Sequence, residues 1–126
     1  MPAKEIAIKY LEYLEQGEVD KVIGLFRPDG IVESPLYGVK KAAEFYRELS
    51  KDTTTSKLEL KGIFEQSGSR DLVLYFTYIW TLKSGQVTTF DVVDIITLDV
   101  DHRIERLKII YDTVITRKLI EATESP

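Results

Sequence analysis

The second half of this chain is a succession of long strand-like runs, and it limits the fold more than any other feature. "SKLELKGIFEQ" alternates Leu58, Leu60 and Ile63 with polar residues, the period of a half-buried strand. After the turn "QSGSR" comes "DLVLYFTYIWTL", rich in aromatic and β-branched residues. A third run follows "KSGQ" from Gln86 to Val100, and "DVDHR" turns into a fourth over Ile104–Ile115. Runs of this length exceed the usual strand of about five or six residues, and strands so long curl, often at bulges.

The first half keeps a different period. Ile6, Tyr10, Tyr13 and Leu14 recur at helical spacing, which predicts an amphipathic helix over residues 3–16 that stops at Gly17. Val19, Val22, Ile23 and Phe26 mark a second, short helix ending before Pro28. "DGIVESP" reads as a short strand, and Val39, Ala42, Ala43, Tyr46 and Leu49 give a third helix after Gly38. The final "EATESP" reads as a frayed end. Helices followed by strands predict an α+β fold, with three N-terminal helices on one face of a curved antiparallel sheet. Such a sheet closes into a cone with a mouth and an apolar lining, the usual form of a small-molecule pocket.

With 126 residues and a hydrophobic fraction of 44%, the chain has the size and composition of a single domain, 1–126. A net charge of −4 gives no basic patch for nucleic acid. No apolar run approaches the roughly 20 residues needed to cross a bilayer, and "MPAKEIAIKY" lacks a secretory pattern. The chain has no cysteine, and its one histidine, His102, falls in a turn, so neither thiolate chemistry nor a zinc site is expected. These features read as a soluble, cytoplasmic protein with no metal or cofactor.

One residue breaks the apolar pattern. In "FDVVDIITLD", Asp94 stands between two pairs of β-branched residues. Burying a lone carboxylate is costly, so such a group is paired, hydrogen-bonded or kept protonated. Strand alternation puts Phe90, Val92, Asp94 and Ile96 on one face, with Asp91, Val93 and Ile95 on the other. Leu107, Ile109 and Tyr111 share a face of the last strand, and Trp80 stands in a run apolar on both faces. A sheet apolar on both sides must be covered twice, once by the helices and once by a second subunit.

Three stretches carry a resemblance. "YLEYLEQGEVDKVIGLF" resembles the opening helices of the nuclear transport factor two-like superfamily, in its ketosteroid isomerase and SnoaL-like branch. "IVESPLYGVKKAAEFYRE" is similar to that branch's short strand, loop and Phe-Tyr-Arg helix. "FDVVDIITLDVDHRIERLKIIYD" resembles the strand–turn–strand that carries its sheet aspartate. The resemblance spans roughly residues 5–115 and implies a cystatin-like α+β roll and a homodimer.

In ketosteroid isomerases a helix tyrosine and a protonated aspartic acid form an oxyanion hole. The resemblance places those roles on Tyr10 and Asp94, and gives Tyr46 the role of a second tyrosine bonded to the first. Donors of this kind can lower a barrier by roughly 3–4 kcal/mol each. The branch's general base is a carboxylate in a Glu-Asp-Pro context, where this chain has Glu33-Ser34-Pro35. A serine without a neighbouring base does not shuttle protons at neutral pH. The base would then be Glu33 re-aimed by a bulge, another carboxylate, or the substrate's own acidic group. Phe45, Trp80, Phe90, Val92, Leu107, Ile109 and Tyr111 are the expected walls, either of the core or of a pocket for an apolar carbonyl compound. Two further readings stand beside this one: a cone that holds a hydrophobic ligand without chemistry, and an interaction module built on the open sheet face. A limonene epoxide hydrolase-like site would need an arginine in the strands Leu72–Leu82 or Phe90–Val100, and neither has one.

Overall fold

A computed structural model describes residues 2–124 of the chain. The end of "EATESP" at Ser125 and Pro126, and the domain limit at Met1, lie outside the described residues. Helix α1, Ala3–Gln16, buries Ile6, Ala7, Tyr10 and Leu11 on one stripe. It stops where Gly17 takes a left-handed φ of 70°, and the Gly17 amide caps the Leu14 carbonyl. Helix α2, Val19–Gly24, is shorter than expected. Phe26 opens strand β1, Phe26–Ser34, instead of closing that helix. The residue before Pro28 is biased to extended geometry, so the chain leaves the helix early.

Strand β2, Gly38–Lys41, pairs with β1 as a hairpin, so Val39 is an exposed strand residue rather than the start of a helix. Helix α3, Ala42–Asp52, follows, burying Ala42, Phe45 and Tyr46. The long strands are β3 (Thr53–Glu65), β4 (Asp71–Leu82), β5 (Val87–Leu98) and β6 (Ile104–Ile110). The last strand ends short of Ile115. The Asp112 carboxylate accepts the Val114 amide at 3.0 Å and starts helix α4, Val114–Glu124. Helical periodicity there was hidden by a β-branched beginning.

The six strands run in the order β2-β1-β6-β5-β4-β3. One pairing departs from the expected antiparallel sheet: β1 lies parallel to β6, with Val32 opposite Leu107. The two strands are far apart in sequence, so no hairpin constrains their direction. Gly30 allows the close crossing, since a Cβ there would come within 2.9 Å of the Ile104 carbonyl. Register shifts at Lys61 in β3, and at Glu105 in β6 opposite Thr97 and Leu98, are the bulges that curl the sheet. Among the described residues no helix is long and apolar enough to cross a membrane.

Alternation along β4 and β5 is regular. Leu72, Leu74, Phe76, Tyr78, Trp80 and Leu82 face the helices, as do Val92, Asp94, Ile96 and Leu98. Val73, Tyr75, Ile79, Val93 and Ile95 face outward and are half-buried.

Candidate functional site

The concave side of the sheet and the helices form a small cavity at the aromatic end of the strands. The space open to the centre of a water-sized molecule is about 40 Å³. Tyr10 of α1, Ser34 at the end of β1, and Phe45 of α3 form its helical side. Trp80, Phe90, Val92 and Asp94 come from β4 and β5, and Ile109 and Tyr111 from β6 and the residue after it. Residues from both halves of the chain thus meet around one hollow.

Asp94 is 1% exposed, and its Oδ1 has no hydrogen-bond partner among the described residues. Burial holds its carboxyl well above the usual carboxylate range, because the ion would lose its hydration with nothing to replace it. Tyr10 lines the same cavity, and its hydroxyl lies 2.7 Å from that of Tyr46. Its phenol is pushed up first by burial and then by Tyr46 and Asp94. Tyr46 is likewise raised by burial; it does not line the cavity and reaches it through Tyr10.

Ser34 does two things at once. Its side chain lines the cavity, and its Oγ accepts the amides of Leu36 and Tyr37, each at 3.1 Å. It therefore closes the turn between β1 and β2, in the manner of a side-chain-capped turn. Glu33 points the other way, as strand alternation requires, and pairs with Arg106 on the outer face. The bulge needed to re-aim it lies earlier in β1, between Phe26 and Ile31, so Glu33 is no base for this cavity. Leu107 is also corrected: it is fully buried between Val32 and Ile96, one rung deeper than the cavity, and packs the core. Among the described residues lining the cavity, Asp94 is the one carboxylate.

Several wall residues were not anticipated. Phe76 and Tyr78 precede Trp80 on the same face of β4, so strand period alone could have found them. Tyr78, Phe90 and Tyr111 form a stack, with ring centroids 5.6 and 4.3 Å apart and planes within 16°. Burial pushes Tyr78 and Tyr111 up to about 12, so both stay protonated at neutral pH. Tyr37 sits in an irregular turn with no periodic signal; its hydroxyl donates to the Asp52 carboxylate at 2.5 Å. Leu14 and Leu49 complete the helical wall. No three acids, histidines or cysteines among the described residues converge as metal ligands would.

The sequence matches no family profile and no curated protein. Solved structures, in contrast, are similar over nearly the whole chain. TerC, co-crystallised with polyporic acid, is 23% identical with a TM-score of 0.80, covering 96% of this chain and 99% of its own. An NTF2-like protein of unknown function from Burkholderia pseudomallei is 18% identical with a TM-score of 0.81, covering 95% and 98%. A candidate SnoaL-like polyketide cyclase from Shewanella putrefaciens is 13% identical with a TM-score of 0.73, covering 96% and 88%. With the curved six-stranded sheet, the helices on its concave face and these likenesses together, the chain has the nuclear transport factor two-like fold of the SnoaL-like proteins.

Proposed function

We propose that the cone binds a small apolar carbonyl or enol compound and holds its oxygen between a protonated Asp94 and Tyr10, in the manner of ketosteroid isomerases and SnoaL-like cyclases. The observation that carries this reading is a buried Asp94, its Oδ1 without a partner among the described residues, that lines the same cavity as Tyr10. A neutral carboxyl in a dry site can donate a hydrogen bond to an oxygen that gains negative charge. The Tyr10 and Tyr46 hydroxyls share one hydrogen bond at 2.7 Å in which either can donate; with Tyr46 as the donor, the Tyr10 proton is left for the ligand. The stacked rings of Tyr78, Phe90 and Tyr111 supply a flat apolar wall. One protein of the same fold, TerC, is known with a small organic acid.

With Ser34 in place of a carboxylate, the chain supplies no base of its own at that position. The reaction is then an isomerisation or cyclisation in which an acidic group of the substrate moves the proton. A second reading, ligand binding without chemistry, is favoured by the same fact that Asp94 is the one carboxylate lining the cavity. In either case we assign the protein to the cytoplasm as a homodimer. The outward face presents Tyr75, Val93 and Ile110 on one rung and exposed Phe64 beside Val73 and Ile95 on the next, an apolar surface that a second copy would cover. Sedimentation at micromolar concentration checks that part.

Substituted phenols of graded acidity test the site, since a phenolate mimics an enolate oxygen. Binding should track phenol acidity, and Asp94→Leu should weaken it by roughly a hundredfold. Equal binding to the variant would remove the oxyanion reading. Ser34→Asp separates the two readings, because an aspartate can accept the same turn amides. A rise of at least about a hundredfold in isomerisation of a β,γ-unsaturated ketone would show an otherwise complete catalytic site.

A further inference from the structure

The cavity is too small for the ligand that its chemistry calls for. A space of about 150 Å³ is what a single benzene ring occupies in a protein interior, and this one offers about 40 Å³. The additional room lies on the far side of the helical wall. A groove of about 320 Å³ runs between the α1–α2 turn, the end of α3 and the start of β3. Leu14 and Leu49 line both the cavity and the groove.

The rest of the partition is fixed by hydrogen bonds that pair a cavity ring with a groove residue. Tyr10 bonds to Tyr46 at 2.7 Å, Tyr78 to Ser56 at 2.6 Å, and the Trp80 indole N–H donates to Thr53 at 2.7 Å. The two leucines carry no such tie. Both are half-buried with open space on each side, so a change of staggered rotamer meets little resistance. The groove's charge is one-sided as well. Glu15 and Glu18 line it, and no lysine or arginine does. Ser50, Thr54 and Thr55 add hydroxyls.

We infer that Leu14 and Leu49 are a movable partition that sets which ligands the protein accepts. When they rotate, cavity and groove become one elongated site. It takes a planar enolic or phenolic head against Asp94 and Tyr10, and a hydroxyl-bearing tail that is neutral or cationic in the groove. An anionic tail is rejected by Glu15 and Glu18. The inference rests on the proposed head site, and the test separates the two.

Calorimetric titration of the intact protein uses three probes: para-cresol, a phenol with a para-hydroxyhexyl tail, and the same phenol with a carboxyhexyl tail. The hydroxyhexyl phenol should bind more tightly than its carboxyhexyl counterpart by roughly tenfold, and Glu15→Gln with Glu18→Gln should narrow that gap. Leu14→Ala with Leu49→Ala should strengthen the hydroxyhexyl phenol about tenfold, the gain expected if the pair stands open in about a tenth of molecules. Cresol, itself larger than the closed cavity, should gain from the same alanine pair. Leu49→Trp should weaken every phenol, the tailed ones most. A readout on the unaltered protein needs no variant to fold: the methyl resonances of Leu14 and Leu49 should report a rotamer change with each phenol that binds, cresol included, because a single ring already exceeds the closed cavity. If the phenols bind but move neither leucine, and the alanine pair leaves their affinities unchanged, the partition is refuted while the head site stands. If cresol binds nowhere, the head site itself fails, and the inference with it.

Discussion

The two ends of the inner sheet face are built from the same strands in the same alternation, yet one is packed with aliphatic side chains around Leu74, Ile96 and Leu107, and the other is built of aromatic rings around a cavity. At the solid end Leu72, Leu74, Ile96, Leu98, Ile104 and Leu107 are each at most 2% exposed, and Val32 seals them from β1. At the hollow end Phe76, Tyr78, Trp80, Phe90 and Tyr111 stand around the cavity. Branched aliphatic side chains adapt to a tapering concave surface and fill it to the density of a crystal. Rigid flat rings stack on one another and leave space that no rotamer closes. Asp94 lies at the boundary, opposite Leu74 on one side and Ile109 on the other. A packed floor thus keeps it dry from below, while the residue itself lines the hollow. The difference between the ends is what turns a core position into a site.

The contrast breaks most easily at its solid end. Leu107→Ala should cost about 2–5 kcal/mol, because a fully buried position cannot collapse onto the space left behind. Phe90→Ala removes a larger side chain that is only partly buried and already borders a cavity, and should cost less than half as much. Urea denaturation with an unchanged slope reads both. Equal losses would mean that the two ends are packed alike.

Most of this arrangement could be read in advance, for a physical reason. Period-two alternation placed Phe90, Val92, Asp94 and Ile96 on one face, and the folded strand keeps them there. Helical spacing placed Tyr10 on the buried stripe of α1. Alternation also turned Glu33 outward and Ser34 inward, which is where they lie. What escaped depends on depth or on chain direction, and neither has a local signal. Leu107 and Ile109 share a face, but only the curl of the sheet puts one in the core and the other on the cavity. The strand role of Phe26 and Val39 follows from pairing with distant partners, which overrides their helical spacing. The parallel β1–β6 pairing and the start of α4 are likewise tertiary facts.

A smaller effect comes from the boundary residue, and its sign sharpens the picture. Replacing an unpartnered buried polar group with an apolar one of similar size stabilises, so Asp94→Leu should gain about 1–3 kcal/mol at neutral pH. Because the folded-state carboxyl is raised above its unfolded value near 3.9, the native state holds a proton that the unfolded chain has released. Stability from this group is fully present below the unfolded value. It is lost as pH climbs from there to the raised folded value, by up to about 1.4 kcal/mol per pH unit. The melting temperature should therefore fall with rising pH across that window, and the slope should vanish in Asp94→Leu. A slope of opposite sign would place the carboxylate in a stabilising ion pair, and the dry boundary would be wrong.

The smallest effect tests the hollow end by itself. Tyr46→Phe deletes the hydroxyl that meets Tyr10 at 2.7 Å and leaves both rings in place. A buried hydrogen bond is worth about 1 kcal/mol on balance, and Tyr10 faces a space large enough to admit a water as a replacement partner. The cost in stability should stay near or below that figure. Phenol affinity should fall several-fold, because a water holds the Tyr10 hydroxyl in place less firmly than Tyr46 does. A rigid end would behave otherwise: if losing this one hydroxyl destabilised the fold as much as Leu107→Ala, the aromatic wall would be packed as tightly as the aliphatic floor. Asp94 would then sit inside a uniform core, with no hollow for its free oxygen to serve.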